Sequence, residues 1–480
     1  MKKIILSISV LFLIGIAQAQ FYAEWTEPVA ISDSLSISSN PVVLTATENS
    51  NNDVFCFYEK KMSVDSPSQI WYRNIYLMTE EQLVLSDDVF EFRNPKILDF
   101  SPYYDSRYFL IYESNETGNY DLFGIEFFVD GSFGSPFNLT NTPGDENSCS
   151  LGGGYEYNEA CWKHEESILV SHISIVGDSL QFEEIFTIDT NICFDPVCTQ
   201  EYVFYRKIIN DSSHIYFSEF NEAENLWTEP DTIYATGNNI NLAAVKYNSN
   251  IYDNSVRIIW ENNKQLVSWE NSYSTISFGE FQGIPECFEP DLLTFDLWVD
   301  FFDFPAVITF CSGEGQNKEV FACAGYGSIG LNISDNSVAD NNPRVFYGPY
   351  FSNYFNAIDI WQSHINNNKV LYMSQISILM GSIDEKGRTD EYLRTNPNPF
   401  KNELKIEYFL LANGKASIDI YSITGKQIHH IGLKSQIDGW DSYTWNPVKI
   451  RQTDLPEGIY FIVLKQGNES TVQKVVYTKQ

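Results

Sequence analysis

Basic residues are scarce in this sequence of 480 residues, which holds 30 Lys and Arg against 64 Asp and Glu and has a formal net charge of −34. The acidic excess lies upstream of residue 391, and the segment from there on is close to neutral. An acidic surface repels phosphate backbones, so the composition argues against nucleic-acid binding. It fits either plain solubility outside the cell or attraction of cations and basic partners.

Several motifs of enzymes and metal sites are missing. No Gly-x-Ser-x-Gly or Cys-x-x-Cys sequence occurs, which argues against a nucleophile elbow and a structural zinc site. The His164-Glu165 start of a zinc-protease helix lacks its second His, and the dinucleotide pattern at residues 325–330 is followed by strand and turn residues. The sequence therefore predicts no catalytic residue and no metal site. Calcium held by acidic loops is the one cofactor that it leaves open.

Long apolar runs are also missing, apart from one at the N-terminus. Lys2 and Lys3 precede an apolar run over residues 4–16, and the small-residue sequence Ala17-Gln18-Ala19 follows. This order predicts a removable signal peptide over residues 1–19. The run is shorter than the about 20 residues that span a bilayer, so we expect no transmembrane segment after cleavage.

The sequence contains eight cysteines. In an exported chain, this number of cysteines makes disulfides possible. Closeness in sequence suggests three local pairs, with Cys56 and Cys287 left unassigned: Cys149 with Cys161, Cys193 with Cys198, and Cys311 with Cys323.

A repeat of about fifty residues runs through residues 20–380. Each unit contains a short β run that ends in an aromatic residue, and an Asx-Pro or similar turn opens a strand upstream of it. The aromatic markers are Tyr58, Tyr112, Trp162, Tyr205, Trp260, Phe310 and Trp361. The upstream turns are Asn40-Pro41, Asn94-Pro95, Asn147-Ser148, Asp195-Pro196, Asn239-Ile240, Glu289-Pro290 and Asn342-Pro343.

Two independent markers therefore count seven units. Such a repeat, in a chain rich in Tyr, Phe, Trp and β-branched residues, predicts an all-β protein with a seven-bladed β-propeller over residues 20–380. The seventh unit lacks an outer strand, and residues 25–32 are predicted to supply it. A β-sandwich with accidental spacing is the alternative.

Two stretches resemble known propellers. Residues 112–123 followed by 138–141 resemble a blade of the TolB-like propellers. Phrases such as Trp227-Thr228-Glu229-Pro230 resemble the outer strands of sialidase-like propellers, although the Asp box of that family is not intact. These resemblances imply a fold more than an activity, because one propeller scaffold hosts many functions.

The pattern changes near the C-terminus. A polar segment over residues 381–395 predicts a linker, and period-two alternation over residues 396–480 predicts a small β-sandwich. The order of motifs closely resembles the type A C-terminal sorting domain of type IX secretion cargo, although Ser422 stands where Asp is common. The matching residues are Asn398, Pro399, Phe400, Tyr421, Gly425, Gly458, Tyr460 and Lys474.

The resemblance implies recognition by the type IX secretion machinery, passage through the periplasm, and release or attachment at the outer-membrane surface after removal of the domain. The alternative is a fibronectin-like accessory module that has no part in export.

The function predicted for residues 20–380 is binding of a glycan or protein partner through the loop face of the propeller. Residues after the aromatic markers are expected to form the rim of that face. One alternative is a sialidase-like or other glycoside hydrolase, which three converging arginines and a Tyr–Glu pair would favour. Another is a structural surface or adhesin component. The rim candidates are Glu59, Glu113, Arg206, Trp260 and Glu261.

Overall fold

Among the residues that it describes, the computed structural model of this protein consists of β-strands and one short 3-10 turn at Gly315–Asn317. The chain divides into two compact units, Trp25–Ser382 and the C-terminal residues from Ile383. The structure describes residues 25–46, 53–100, 107–152, 158–177, 179–247, 255–271, 275–279, 284, 286–294, 306–324, 330–348, 354–379, 393–398, 400–410, 416–422, 427–433, 439–447, 458–466 and 469–479. The predicted signal peptide lies outside them.

Seven groups of mainly antiparallel strands, here called sheets one to seven, follow one another along the first unit. Sheet one is β2 (Ile37–Ala46), β3 (Asp53–Lys61), β4 (Gln69–Asn74) and β5 (Gln82–Leu85). Sheet two is β6 (Phe92–Asp99), β7 (Tyr108–Ser114), β8 (Asp121–Phe127) and β9 (Phe137–Asn138). Sheet three is β10 (Glu146–Gly152), β11 (Asn158–His164), β12 (Ser167–Val176) and β13 (Ser179–Asp189). Sheet four is β14 (Cys193–Thr199), β15 (Tyr202–Ile209), β16 (Ser212–Asn221), β17 (Leu226–Trp227) and β18 (Asp231–Tyr234).

The remaining sheets of this unit follow the same plan. Sheet five is β19 (Asn239–Tyr247), β20 (Ser255–Asn262), β21 (Gln265–Glu270) and β22 (Thr275–Gly279). Sheet six is β23 (Phe288–Thr294), β24 (Ala306–Ser312), β25 (Glu319–Ala324) and β26 (Leu331–Asn332). Sheet seven is β27 (Asp340–Tyr347), β28 (Tyr354–Ile365), β29 (Asn368–Leu379) and, from the start of the unit, β1 (Val29–Ala30). Sheets one and seven are joined by one parallel pairing, Ile37 opposite Lys369.

The first strands of successive sheets contact each other, from β2 through β6, β10, β14, β19 and β23 to β27, and β27 contacts β2. A separate hydrophobic cluster fills each boundary between one sheet and the next. The second strand of a sheet is therefore covered on both faces, which explains why β7 is buried along its whole length. All seven aromatic markers lie on these second strands and are buried.

The N-terminal segment completes sheet seven, as predicted. Val29 pairs with Met373 and Ala30 with Tyr372, both in β29. The Thr26 amide also donates to the Gln375 carbonyl at 2.9 Å. An outer strand from the opposite end of the chain covers an edge that would otherwise expose unpaired backbone groups.

The Asx-Pro markers lie inside the first strands instead of opening them, which corrects the predicted turns. In each first strand the register with the second strand shifts at this point. One residue there takes a positive φ, a conformation that Asn and Asp tolerate better than most, and the pairing bulges around it. These bulge residues are Asn40, Asn94, Ser148, Asp195, Asn241, Glu289 and Asn342.

The C-terminal unit contains two sheets. One is β30 (Leu393–Asn396), β31 (Leu404–Leu410) and β34 (Gly439–Trp445). The other is β32 (Ala416–Ser422), β33 (Gln427–Leu433), β35 (Gly458–Gln466) and β36 (Glu469–Tyr477). Buried side chains from both sheets form a single hydrophobic cluster. Strand β30 begins inside the segment that was predicted to be a linker.

Candidate functional site

Glu113, a predicted rim residue, lies between two sheets. Its carboxylate accepts from Asn94 Nδ2 at 2.7 Å within sheet two and from the Ser148 amide of sheet three at 2.7 Å. Arg93 Nε also donates to it at 2.8 Å. The side chain is only 2% exposed, so Glu113 serves to hold the bulges of neighbouring sheets together.

Glu59 and Glu261 repeat this arrangement. Each accepts from the side chain of the bulge Asn in its own sheet, at 2.9 Å in both cases. Each also accepts from the bulge amide of the next sheet, at 3.3 Å for Glu59 and 3.2 Å for Glu261. We call this repeated contact the bulge latch. It gives the predicted rim carboxylates a structural role, and binding of a partner by them stays a prediction.

The other two rim candidates also have partners within the fold. Trp260 is fully buried, and its indole N–H donates to Asn239 Oδ1 at 2.8 Å. Arg206 pairs with Asp195 at 2.8 Å, and its guanidinium lies 5.0 Å from the centre of the Phe194 ring. Trp260 is therefore a core residue, and Arg206 supports the bulge of sheet four.

A different set of residues occupies equivalent positions on the seven first strands. Each is the first paired residue after the bulge, and each pairs with the residue that precedes the aromatic marker. We call this set the first-strand layer. It consists of Val42, Lys96, Ser150, Val197, Ala243, Asp291 and Arg344.

Three members of the first-strand layer are charged, and they interact. Arg344 Nη1 lies 3.7 Å from Asp291 Oδ1, and Asp291 Oδ2 accepts from the Val345 amide at 2.9 Å. The Arg344 side chain is 48% exposed, so its guanidinium can also contact a ligand. Arg344, Lys96 and Asp291 are not among the residues predicted for the site, because their equivalence depends on the bulges.

Lys96 of sheet two lies within electrostatic range of the charges of sheets six and seven. Burial lowers the pKa of Lys96, the Arg344 guanidinium lowers it further, and Asp291 opposes the change. Among the described residues, Lys96 has no hydrogen-bond or ion-pair partner. Two cationic groups from sheets two and seven thus approach one site, and the carboxylate nearby is already engaged by Arg344 and a backbone amide.

Asp359 lies behind this site on β28. At the equivalent position the other six second strands carry an apolar or cysteine side chain, whereas Asp359 is a fully buried carboxyl group. Neither of its oxygens has a hydrogen-bond partner in the described part of the chain. Burial raises the pKa of Asp359 well above its usual value, Asp291 raises it further, and the Arg344 amide opposes this. These effects favour the neutral acid.

A second buried acid, Glu159, lies near the start of β11. Burial raises the pKa of Glu159 to about 8, while a hydrogen bond from the Glu201 amide acts in the opposite direction. His172 Nδ1 lies 3.5 Å from its carboxyl group, and Lys246 pairs with Glu201 at 3.2 Å. The folded chain therefore holds a proton on Glu159 near neutral pH.

Replacing Glu159 by Gln is expected to stabilise the chain at high pH only. The unfolded acid loses its proton above about 4.5 and the folded acid above about 8, so wild-type stability falls as the pH rises between these values. Gln carries no such proton. The gain in melting temperature should be large at pH 8.5 and close to zero at pH 4.5. Glu184→Gln, an exposed control, should show no difference, and an equal gain for Glu159→Gln at both pH values would contradict this account.

The structure does not bring the three predicted cysteine pairs together. All eight cysteines lie among the described residues, buried and without a disulfide. Cys193 and Cys198 lie along one extended strand, β14, where five residues of rise exceed the reach of a disulfide.

The strand register separates the other two pairs. Cys311 pairs with Val320 whereas Cys323 pairs with Ile308, so the two thiols face opposite sides of sheet six. Cys149 packs between sheets two and three, and Cys161 packs between sheets three and four. Short spacing in sequence was therefore a poor guide to contact in these sheets.

Two of the predicted sorting residues, Asn398 and Phe400, contact the last strands of the C-terminal unit. Asn398 accepts from the Val476 amide at 2.9 Å, and its side chain donates to the Lys474 carbonyl at 2.9 Å. Phe400 is fully buried, with ring centres 5.4 Å from Trp445 and 5.2 Å from Tyr477. Pro399 and Gly425 lie outside the described residues.

The remaining predicted sorting residues lie on β32, β35 and β36. Tyr460 is buried and packs edge-on against Trp445 at 5.9 Å. Tyr421 accepts from Lys465 Nζ at 3.5 Å. Gly458 begins β35 with a φ of 150°, and the side chain of Lys474 is exposed.

The described part of the chain holds neither a membrane-spanning helix nor a cluster of metal ligands. No helix in this part of the chain has the length and apolar character needed to cross a bilayer. No three His, Cys, Asp or Glu side chains within the described ranges are grouped so that they could hold a metal ion.

Residues 395–478 match the family described as Secretion system C-terminal sorting domain. This part of the chain is a type IX sorting domain, which indicates secretion to the cell surface or the extracellular space. The predicted resemblance of the C-terminal residues is thereby confirmed. Comparison of the sequence with curated proteins gave no match.

Several solved structures resemble the chain at low identity. A subtype N10 neuraminidase-like protein of A/little yellow-shouldered bat/Guatemala/060/2010 is 13% identical, with a TM-score of 0.36, over 62% of this chain and 96% of that one. The Dos1 propeller is 6% identical, with a TM-score of 0.37, over 74% and 96%. Zg3597, a family 117 glycoside hydrolase of Zobellia galactanivorans, is 9% identical, with a TM-score of 0.31, over 75% and 91%. Similarity at this level supports no argument about activity.

Proposed function

We propose that this protein is an exported seven-bladed β-propeller that binds an anionic group of a glycan or protein partner in its central channel. In this proposal sheets one to seven are the blades, and the first-strand layer lines the channel. The two sheets of the C-terminal unit form the sandwich of the sorting domain. The predicted signal peptide directs the chain to the periplasm, from which the type IX machinery exports it.

The convergence of Lys96 and Arg344 is the observation that carries this proposal. The two cations come from first strands far apart in sequence, and Lys96 has no partner among the described residues. A guanidinium can grip a carboxylate or sulfate through two parallel N–H groups, and an ammonium adds a compact charge. Asp291 holds Arg344 in place from one side. In a unit with a large acidic excess, such a site selects a ligand whose anionic group is presented at a fixed position.

Loss of either cation is expected to weaken binding. The probes are an array of carboxylated and sulfated glycans with their neutral counterparts, and a set of acidic peptides. The protein is the full chain. A charge-assisted hydrogen bond is worth about 1.5–3 kcal/mol, so Lys96→Ala and Arg344→Ala should each weaken binding by roughly 10- to 100-fold. Lys369→Ala removes a lysine outside the first-strand layer and should leave affinity unchanged.

Three results would contradict the proposal. One is equal binding of acidic and neutral glycans, together with no binding of acidic peptides. Another is unchanged affinity in both variants. The third is release of sugar from the arrayed glycans, which would point to the hydrolase alternative. A surface that binds no probe would favour the structural or adhesin alternative.

A further inference from the structure

Four of the eight cysteines gather where sheets three and four meet. Cys161, Cys193 and Cys198 belong to the hydrophobic cluster between these sheets. Cys149 packs nearby, in the cluster between sheets two and three. All four are buried. Because the chain carries a secretion sorting domain, two thiols of this cluster can meet an oxidising compartment in which disulfides form.

Cys198 lies against the backbone of sheet three. Its Sγ is 3.2 Å from the Ser150 carbonyl oxygen and 3.8 Å from the Glu159 carbonyl oxygen. Its amide donates to Ser150 Oγ at 3.3 Å. Ser150 pairs directly with Cys161 in the register of β10 and β11. The Cys198 thiol therefore sits beside the Cys161 position, across the boundary between the two sheets.

The Cys198 thiol lies in the same hydrophobic cluster as Cys161 and close enough to affect its ionisation. Burial raises the pKa of Cys161 well above its usual value, and the Cys198 thiol raises it further. Cys149 is the competing neighbour, because its Sγ lies 3.9 Å from the same Ser150 carbonyl. Its side chain, however, packs on the other face of sheet three.

We infer that Cys161 and Cys198 are oxidised to a disulfide that joins sheet three to sheet four in the exported protein. The oxidant is a protein disulfide of the periplasmic thiol–disulfide exchange class. Its S–S bond accepts two electrons and becomes two thiols, which take up the two protons released by Cys161 and Cys198. The new S–S bond forms as the sheets come together, since the packed thiols are buried and protonated and so react slowly.

The test maps the bond in the full chain. One sample is taken from the secreted protein, and another is unfolded, reduced and refolded in a glutathione redox buffer. Free thiols are alkylated under denaturing, non-reducing conditions, and the digest is analysed by mass spectrometry. We expect one cross-linked peptide pair containing Cys161 and Cys198, and six alkylated cysteines. The refolded sample tests the disulfide independently of the export route, because refolding in the redox buffer needs no secretion.

The inference predicts that reduction lowers the melting temperature of the full chain by roughly 5 °C. Cys161→Ser combined with Cys198→Ser should remove both the cross-link and this sensitivity to reductant. The matched control, Cys311→Ser combined with Cys323→Ser, should keep both. Eight alkylated cysteines in both samples, or a bond from Cys198 to Cys149, would overturn the inference, and either result can be read from the wild-type chain alone.

Discussion

Replacing Phe400 by Ala is expected to stop export and to leave the chain inside the cell. Phe400 is fully buried in the C-terminal unit, between the rings of Trp445 and Tyr477. Its backbone also joins the last strand, since its amide donates to the Val476 carbonyl at 2.9 Å. Loss of a buried aromatic costs about 3–5 kcal/mol, which is much of the stability of a small domain.

The measurement is the share of protein found in the medium and on the surface against the share inside the cell. Deletion of residues 393–480 gives the reference for complete loss of export, and Phe400→Ala should approach it. Lys401→Ala alters the neighbouring exposed side chain and should be exported like the wild type. Normal delivery of the Phe400→Ala chain would show that an intact core of this unit is not what the machinery requires.

Replacing Glu113 by Ala is expected to destabilise the first unit strongly. The carboxylate is buried and accepts from Arg93, Asn94 and the Ser148 amide. Its removal leaves an arginine without its counter-charge and two neutral donors without an acceptor. Breaking a buried pair of this kind costs about 3–5 kcal/mol. The loss should fall on the boundary between sheets two and three.

Urea unfolding of the full chain provides the measurement. Glu116→Ala changes an exposed acid three residues further along and should leave the midpoint within error of the wild type. Glu113→Gln keeps an acceptor oxygen and should lose much less stability than Glu113→Ala. If Glu113→Ala and Glu116→Ala unfold at the same urea concentration, the bulge latch contributes nothing to stability.

The repeat could be predicted from sequence because its markers follow from local physics. A second strand covered on both faces needs an apolar run, so Tyr58 and its equivalents recur at a regular interval. A residue with positive φ marks each bulge, and in five of the seven sheets it is an Asn or Asp, which tolerates this conformation. The match was weakest in sheet five, where the bulge residue is Asn241, two positions after the predicted Asn239. There no proline follows to mark it.

The candidate site could not be predicted in the same way, because it depends on contacts between distant parts of the chain. Glu113 looks like a solvent-facing loop acid in sequence, and only the position of the Ser148 amide in the next sheet makes it a latch. Lys96 and Arg344 become neighbours only after each bulge sets its register. A shift of one residue would send either side chain to the other face of its strand.

The predicted cysteine pairs failed for a related reason. Two cysteines that are close in sequence lie far apart in space when they share one extended strand, as Cys193 and Cys198 do in β14. Thiols in different sheets can meet, as Cys161 and Cys198 do. The sequence predicted an exported chain, in which disulfides are possible, but could not identify which cysteines lie close together.

The pairing of β1 with β29 has a consequence for biogenesis. The Ser374 hydroxyl donates to the Thr26 carbonyl across 348 residues of chain, so this contact waits until almost the whole unit has left the ribosome. Contacts between such distant residues form slowly. Until β1 pairs with it, the outer edge of β29 is bare and able to pair with strands of other molecules. A holding chaperone should therefore matter most for this protein late in synthesis, just before its two ends meet.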